Sequence, residues 1–241
     1  MVYKTKIIQM ILRTLIFYLV LTIWTIFMGI ICLPYMFFPS SYIRRPARFW
    51  IKGIFLSLKI ICKVTHEIKG LENIPNEPMI IVAKHQSAFE TFALYYYFKK
   101  SFFVHKKQLF YIPIFGQYLF KSNMVAIDRS GKAVAMRRML TDIKNKLNEG
   151  SSIIIFPEGT RKLPGDLPDY KTGFIGIYNI TNRKLLPIAL NSGLCWSKHS
   201  WIKKGEIIIQ ILPQIDSNLE KNQVLKIVEN TIENATNKLL T

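Results

Sequence analysis

The stretch MIIVAKHQSAFE, residues 79–90, joins two patterns that do not belong to one element. Met79-Ile80-Ile81-Val82-Ala83 is a short, unbroken apolar run of the kind that forms a buried strand. The residues after it bring a cation, an imidazole, small polar side chains, one aromatic and a carboxylate. A chain that ends a core strand in this way is placing polar chemistry at the strand's end.

Strand-like segments recur further along, at Ser101–Val104, Met124–Ile127, Ser152–Phe156, Leu186–Leu190 and Glu206–Leu212, with helix-like stretches between several of them. Lys132–Asn148 reads as a helix with Gly150 as its stop signal. A last helix is expected from about Ser217, because Val224, Leu225, Val228, Ile232, Ala235 and Leu239 fall three or four apart along one face. The alternation predicts an α/β fold with a mixed, substantially parallel central sheet flanked by helices. Sheets of this class gather their sites just beyond strand ends, which is where KHQSAFE lies.

The chain has 241 residues, 50% of them hydrophobic, with 33 Lys and Arg against 15 Asp and Glu, a formal charge of +18. Such a charge attracts polyanions: nucleic acid, anionic lipid or phosphorylated substrates. The N-terminus decides among them. From Thr14 to Ile43 there is no charged residue. A bilayer span takes about 20 apolar residues, so this run is long enough. It is too long for the apolar part of a cleaved signal peptide, and no small-x-small site follows it. Membrane lipids are therefore expected partners and nucleic acid is not. Lys4, Lys6 and Arg13 precede the run and Arg44, Arg45 and Arg48 follow it, so charge asymmetry does not orient a span. Gly29, Pro34 and Pro39 are expected to break or kink a helix in its second half. Two short helices dipping into one leaflet, or a single tilted span, both fit. Residues 1–63 form this anchor and a basic neck, and 64–241 the globular domain. Cys32, Cys62 and Cys195 are scattered, which argues against a disulfide framework or a zinc site.

Five residues along a regular helix turn by about 500°, so side chains spaced like His85 and Glu90 diverge by about 140°. They meet only if His85 lies in the loop before a helix and Glu90 in its first turns. A carboxylate so placed fixes the imidazole's tautomer and stabilises its charged form. The same residues also read as a strand-end turn that caps a helix through Ser87. No third ligand stands at metal-binding spacing. There is no G-x-S-x-G elbow, and a histidine without a protein nucleophile suggests a base that activates a substrate hydroxyl directly. Other strand ends add cations: Lys84, then Lys106 and Lys107, then Arg129 and Lys132, then Arg161 and Lys162. A solvated basic rim would look the same, but arginine's planar fork suits a phosphate. Pro157 and Gly159 read as turn residues. Glu158 either orients a substrate hydroxyl or holds its turn through an ion pair.

HQSAFE at 85–90, VAIDRSGK at 125–132, FPEGTR at 156–161 and LPIAL at 186–190 stand in that order. They resemble the four sequence blocks of the 1-acyl-sn-glycerol-3-phosphate acyltransferases, a family of glycerolipid acyltransferases. GLENIP at 70–75 and KKQLFYIPIFG at 106–116 also look like family sequence, and the resemblance covers roughly residues 64–200. Glu90 stands where the family usually has aspartate, and Ala126 where it often has phenylalanine. The resemblance implies His85 as general base, oriented by Glu90, acting on the free hydroxyl of lysophosphatidic acid. That oxygen would attack the thioester of acyl carrier protein or coenzyme A and give phosphatidic acid, with no covalent acyl-enzyme and no cofactor or metal. Arg129 and Arg161 would hold the lipid phosphate, Gly159 would let the backbone approach the substrate, and Lys106, Glu158 and Thr160 complete the expected substrate-binding set. The thioester donor is cytosolic, which implies a catalytic domain on the cytoplasmic side of the inner membrane. Two alternatives remain. One is the same chemistry on glycerol 3-phosphate or a lyso-aminolipid. The other is a non-catalytic membrane protein that binds anionic lipid, in which His85 and Glu90 would be expendable.

Overall fold

The computed structural model describes residues 2–122, 124–127 and 132–240. Among them, strands β1 Val64–Lys69, β2 Ile80–Ala83, β3 Ser101–Lys106, β4 Val125–Ile127, β5 Ser152–Ile155, β6 Leu185–Leu190 and β7 Gly205–Ile211 form one sheet. Their spatial order is β1-β7-β6-β2-β5-β3-β4. Neighbours run parallel except β6 and β7, so the sheet is mixed and mostly parallel.

β2 lies between β5 and β6, with Ile81 opposite Ile154 on one side and Leu186 on the other. A strand covered on both faces has no solvent side to mark with polar residues, so it reads as an unbroken apolar run. Its alternate residues serve two cores. Ile81 and Ala83 pack with α1 (Val2–Ile31), α2 (Arg44–Ser57), α3 (Phe89–Tyr97) and α7 (Ser192–Trp196). Ile80 and Val82 pack with α5 (Lys132–Asn148), α6 (Gly173–Thr181) and α8 (Lys221–Leu240) on the opposite face. A remaining helix, α4 (Phe115–Lys121), follows β3 through a short 3-10 turn.

The α5 helix keeps the limits expected from its periodicity. The α8 helix begins at Lys221 rather than near Ser217. The chain before it is held in other ways: Ile215 bridges to Leu185, the Tyr178 hydroxyl donates to the Asp216 carbonyl, and the Leu219 N–H donates to that hydroxyl. Val224, Val228 and Ile232 then lie at 0% exposure against the second core. Burying each such side chain contributes about 1.5–3 kcal/mol.

The uncharged N-terminal run meets expectation in part, since its helix ends ahead of Pro34 but is not interrupted at Gly29. α1 passes through Gly29 without a break and ends at Ile31, before Pro34, and the chain returns through two 3-10 turns into α2. The return arm is therefore the basic neck and not the second half of the uncharged run. The Trp24 indole donates to the Trp50 carbonyl, and the Trp50 indole donates to the Thr25 hydroxyl. Cys62 lies against the Arg13 carbonyl, so the two arms run antiparallel. The domain grips α1 at both halves. Ile202 N–H donates to Thr14 Oγ1 and the Trp196 indole donates to the Tyr18 hydroxyl, while Tyr118 donates to the Gly29 carbonyl. Lys4–Ile31 is long and apolar enough to cross a membrane, with a mean hydropathy of 2.3 over its most apolar 18 residues.

Candidate active site

β2 delivers His85 into a short loop, and α3 begins at Phe89 with Glu90 in its first turn. The Ser87 hydroxyl accepts the Phe89 N–H at 3.0 Å and closes the turn that leads into the helix, while the N-cap position itself is Ala88, which makes no side-chain cap bond. Glu90 points back under the loop. Its Oε1 accepts from His85 Nδ1 at 2.9 Å, from Gln86 N–H at 2.7 Å and from Ser87 N–H at 2.6 Å. Its Oε2 accepts the Ser192 hydroxyl at 2.7 Å. The carboxylate is fully buried at 0% exposure and both of its oxygens are engaged by donors. An ionised carboxylate only accepts, so Nδ1 must carry its proton and the lone pair sits on Nε2. The His85 side chain is 17% exposed, open enough for that edge to meet a substrate.

The FPEGTR turn is fastened to the same loop. Phe156 stacks on the His85 ring at 4.1 Å and 14°. Glu158 Oε1 accepts the His85 backbone N–H at 2.9 Å, and Lys162 N–H donates to the His85 carbonyl at 2.9 Å. Both backbone polar groups of His85 are thus satisfied by the turn that carries Arg161. Gly159 takes φ +65°, a left-handed conformation suited to glycine, and a Cβ there would meet no atom closer than Lys171 Cγ at 4.0 Å. Thr160 is exposed and Arg161 half-buried beside it.

Glu158 itself is 1% exposed and lies beneath the loop, so of its two expected roles the structure shows the ion pair: Lys84 Nζ is 3.5 Å from its Oε1. Burial pushes the Glu158 carboxyl above its ordinary pKa, against the pull of the His85 N–H and of Lys84. Lys84 is not a rim cation. Its side chain is 2% exposed and reaches Glu233 Oε1 at 2.7 Å, which removes it from the group of strand-end cations free to meet a phosphate. Arg129 and the side chain of Lys106 lie outside the described residues. Among those residues, no group of three or more His, Cys, Asp or Glu could hold a metal ion.

Ser192, Phe156, Tyr170 and Glu233 were not expected from the sequence. Ser192 could have been found, since it follows the β6 run LPIAL by two residues and thus lies just beyond a strand end. Next to the stacked rings, Phe103 stacks on Phe156 at 5.9 Å and borders an apolar cavity of about 150 Å³. Met28, Trp50, Tyr95, Phe115 and Met124 also line that cavity, which opens between the hairpin and α3 and α4.

Residues 65–191 match the model of a protein family described as Acyltransferase. A 1-acyl-sn-glycerol-3-phosphate acyltransferase from Pseudomonas aeruginosa is 33% identical over 214 residues, covering 87% of this chain and 82% of that protein. The Saccharomyces cerevisiae protein of the same name is 27% identical over 178 residues, covering 71% of this chain and 59% of its own length. The crystal structure of the 1-acyl-sn-glycerophosphate (LPA) acyltransferase PlsC from Thermotoga maritima superposes with a TM-score of 0.81 at 25% identity, covering 97% of each chain.

Proposed function

Because the chain belongs to the family of 1-acyl-sn-glycerol-3-phosphate acyltransferases, we propose that it transfers an acyl group from a thioester to the free sn-2 hydroxyl of lysophosphatidic acid. His85 Nε2 takes the hydroxyl proton as the substrate oxygen attacks the thioester carbonyl. The C–S bond then breaks, phosphatidic acid forms, and the imidazolium returns its proton to the leaving thiolate. Glu90 holds Nδ1–H and stabilises the transient imidazolium. The observation that carries this reading is the His85–Glu90 bond, with every Glu90 oxygen already committed. A carboxylate held by four donors is fixed in place, which is what an orienting partner requires.

Arg161, with Arg129, holds the acceptor phosphate. Gly159, Thr160 and Lys106 border the acceptor, and Glu158 acts from below by fixing the base loop. The apolar cavity beside Phe103 suits an acyl chain. The donor is the thioester of acyl carrier protein or coenzyme A. The test is a transfer assay on purified protein, with lysophosphatidic acid, glycerol 3-phosphate and a lyso-aminolipid as acceptors and both thioesters as donors. Phosphatidic acid from lysophosphatidic acid is the expected product. Activity confined to another acceptor, or none with any, sinks the reading.

In the same reading, residues 1–63 are a membrane anchor and 64–241 the catalytic domain, on the cytoplasmic side of the inner membrane. The domain touches α1 near Thr14 and again at Gly29, which suits a hairpin lying in one leaflet with its outer face to lipid. Ile8, Leu12, Leu19, Ile23 and Ile30 are exposed along that helix. Cysteines placed at positions 3 and 45 should therefore label from the same side of a sealed vesicle. Labelling from opposite faces would establish a single span. Removing residues 1–43 should weaken membrane binding, with residual binding through the basic neck at low salt.

A further inference from the structure

We propose that Lys84, Tyr170 and Glu233 are positioning residues for the acyl transfer: the C-terminal helix holds the Glu158 carboxylate, and through it the His85 backbone, in working register. This rests on the acyltransferase reading of the His85 site. It adds one part outside the matched domain, since Glu233 stands on α8, beyond residues 65–191.

A lysine ammonium is stable away from water only when it is paired. Lys84 has two carboxylates to pair with. Its Nζ is 2.7 Å from Glu233 Oε1 and 3.5 Å from Glu158 Oε1, with the Lys84 and Glu158 side chains at 2% and 0% exposure. The Tyr170 hydroxyl donates to the same Glu233 oxygen at 2.8 Å. Glu158 Oε1 then accepts the His85 N–H at 2.9 Å, while Glu158 Oε2 is buried without a hydrogen-bond partner among the described residues. The carboxylate that steadies the base loop is thus held through one oxygen, and its counter-cation is fixed from α8. Lys84 precedes His85 directly, and Glu158 stands three residues before Arg161. A shift of this cluster would move the base relative to the phosphate grip.

The charged and titratable groups around Glu158 are Lys84 just past β2, Tyr170 from the segment before α6, and Glu233 from α8, with Glu229 also acting on Tyr170. Lys84 favours the Glu158 carboxylate and Glu233 opposes it. Removing the Lys84 charge therefore makes Glu158 take up its proton at higher pH. Removing the Glu233 charge makes it do so at lower pH.

The experiment measures kcat and both KM values against pH for wild type, Lys84→Met, Glu233→Gln and Tyr170→Phe, together with the histidine ring NMR titration of His85 in detergent. Lys84→Met should lower kcat about tenfold to a hundredfold, the scale of a small misplacement at a reacting centre, with KM values changed by less than about threefold. Its acid limb should move to higher pH. Glu233→Gln keeps an acceptor for Lys84 and Tyr170, so it should lose less turnover, and its acid limb should move to lower pH. If Lys84→Met does not fold, the isosteric Glu233→Gln and Tyr170→Phe variants decide. Unchanged kcat and acid limb in both of these, or a change confined to melting temperature, overturns the proposal. Wild-type protein inactive on every acceptor would instead refute the acyltransferase reading. The coupling is then judged by the His85 titration alone, and an unmoved titration in Glu233→Gln overturns it.

Discussion

His85→Ala lowers the turnover of acyl transfer by about a hundredfold or more, the usual worth of a positioned general base, and leaves the protein folded. Folding survives because the loop does not depend on the ring. The backbone N–H and carbonyl of His85 stay bonded to Glu158 and Lys162, and Glu90 Oε1 keeps the N–H groups of Gln86 and Ser87. What the variant loses is Nε2, the atom proposed to take the proton. Glu90→Gln costs less than His85→Ala, because an amide oxygen can still accept from Gln86, Ser87 and Nδ1 and hold the tautomer. It no longer balances the imidazolium charge. Turnover of the purified variants, with circular dichroism to confirm folding, checks both. Near-wild-type turnover in folded His85→Ala removes the histidine from the mechanism.

Arg161→Ala and Arg129→Ala each raise the KM for lysophosphatidic acid. A charge-assisted hydrogen bond contributes about 1.5–3 kcal/mol, so the rise is roughly tenfold to a few hundredfold. Lysine restores only part of this, because an ammonium lacks the paired fork. The KM for the thioester moves much less. On the proposed clamp turnover should also fall, since a grip on the phosphate would set the hydroxyl beside His85, whose loop is tied to the Arg161 turn through Glu158 and Lys162. Steady-state kinetics with acceptor and donor varied separately give the answer. An unchanged acceptor KM and turnover in both variants would falsify the clamp and leave these arginines as a solvated rim.

The strand ends were legible because apolar runs such as Ile80–Ala83 and Ile153–Phe156 give way to polar residues within two positions, and burial on both faces forces such unbroken runs. β1 was not, because VTHEIK has only alternate residues shielded and places Glu67 and Lys69 in a six-residue strand. The His85–Glu90 pair was legible from spacing together with the strand-to-helix transition. The direction of Lys84 was not. A cation at a strand end can turn out to solvent or under the sheet, and the deciding partner, Glu233, lies 149 residues away. Ser192 on Glu90 is likewise separated by 102 residues. Local pattern carries no information on such pairs, which only the assembled sheet brings together. The unbroken passage of α1 through Gly29 shows the opposite limit: one glycine costs a helix only about 1 kcal/mol, and packing against Tyr118 and Ile114 outweighs it.

The sheet order sets a schedule for the newborn chain. β1 pairs, among the described strands, only with β7, whose residues emerge roughly 140 positions later. At about 5–20 residues per second, the ribosome takes on the order of ten seconds to supply that partner. Throughout this interval the N-terminal helix has left the ribosome and is free to reach lipid, while β1 waits as an unpaired edge. The second counter-anion of Lys84, Glu233, arrives later still, in the latter half of α8. A product terminated before Glu233 therefore carries a lysine with Glu158 alone to offset its burial. Truncations within α8 are expected to accumulate as protease-sensitive chains rather than as slightly weakened enzymes, with pulse-chase degradation as the readout.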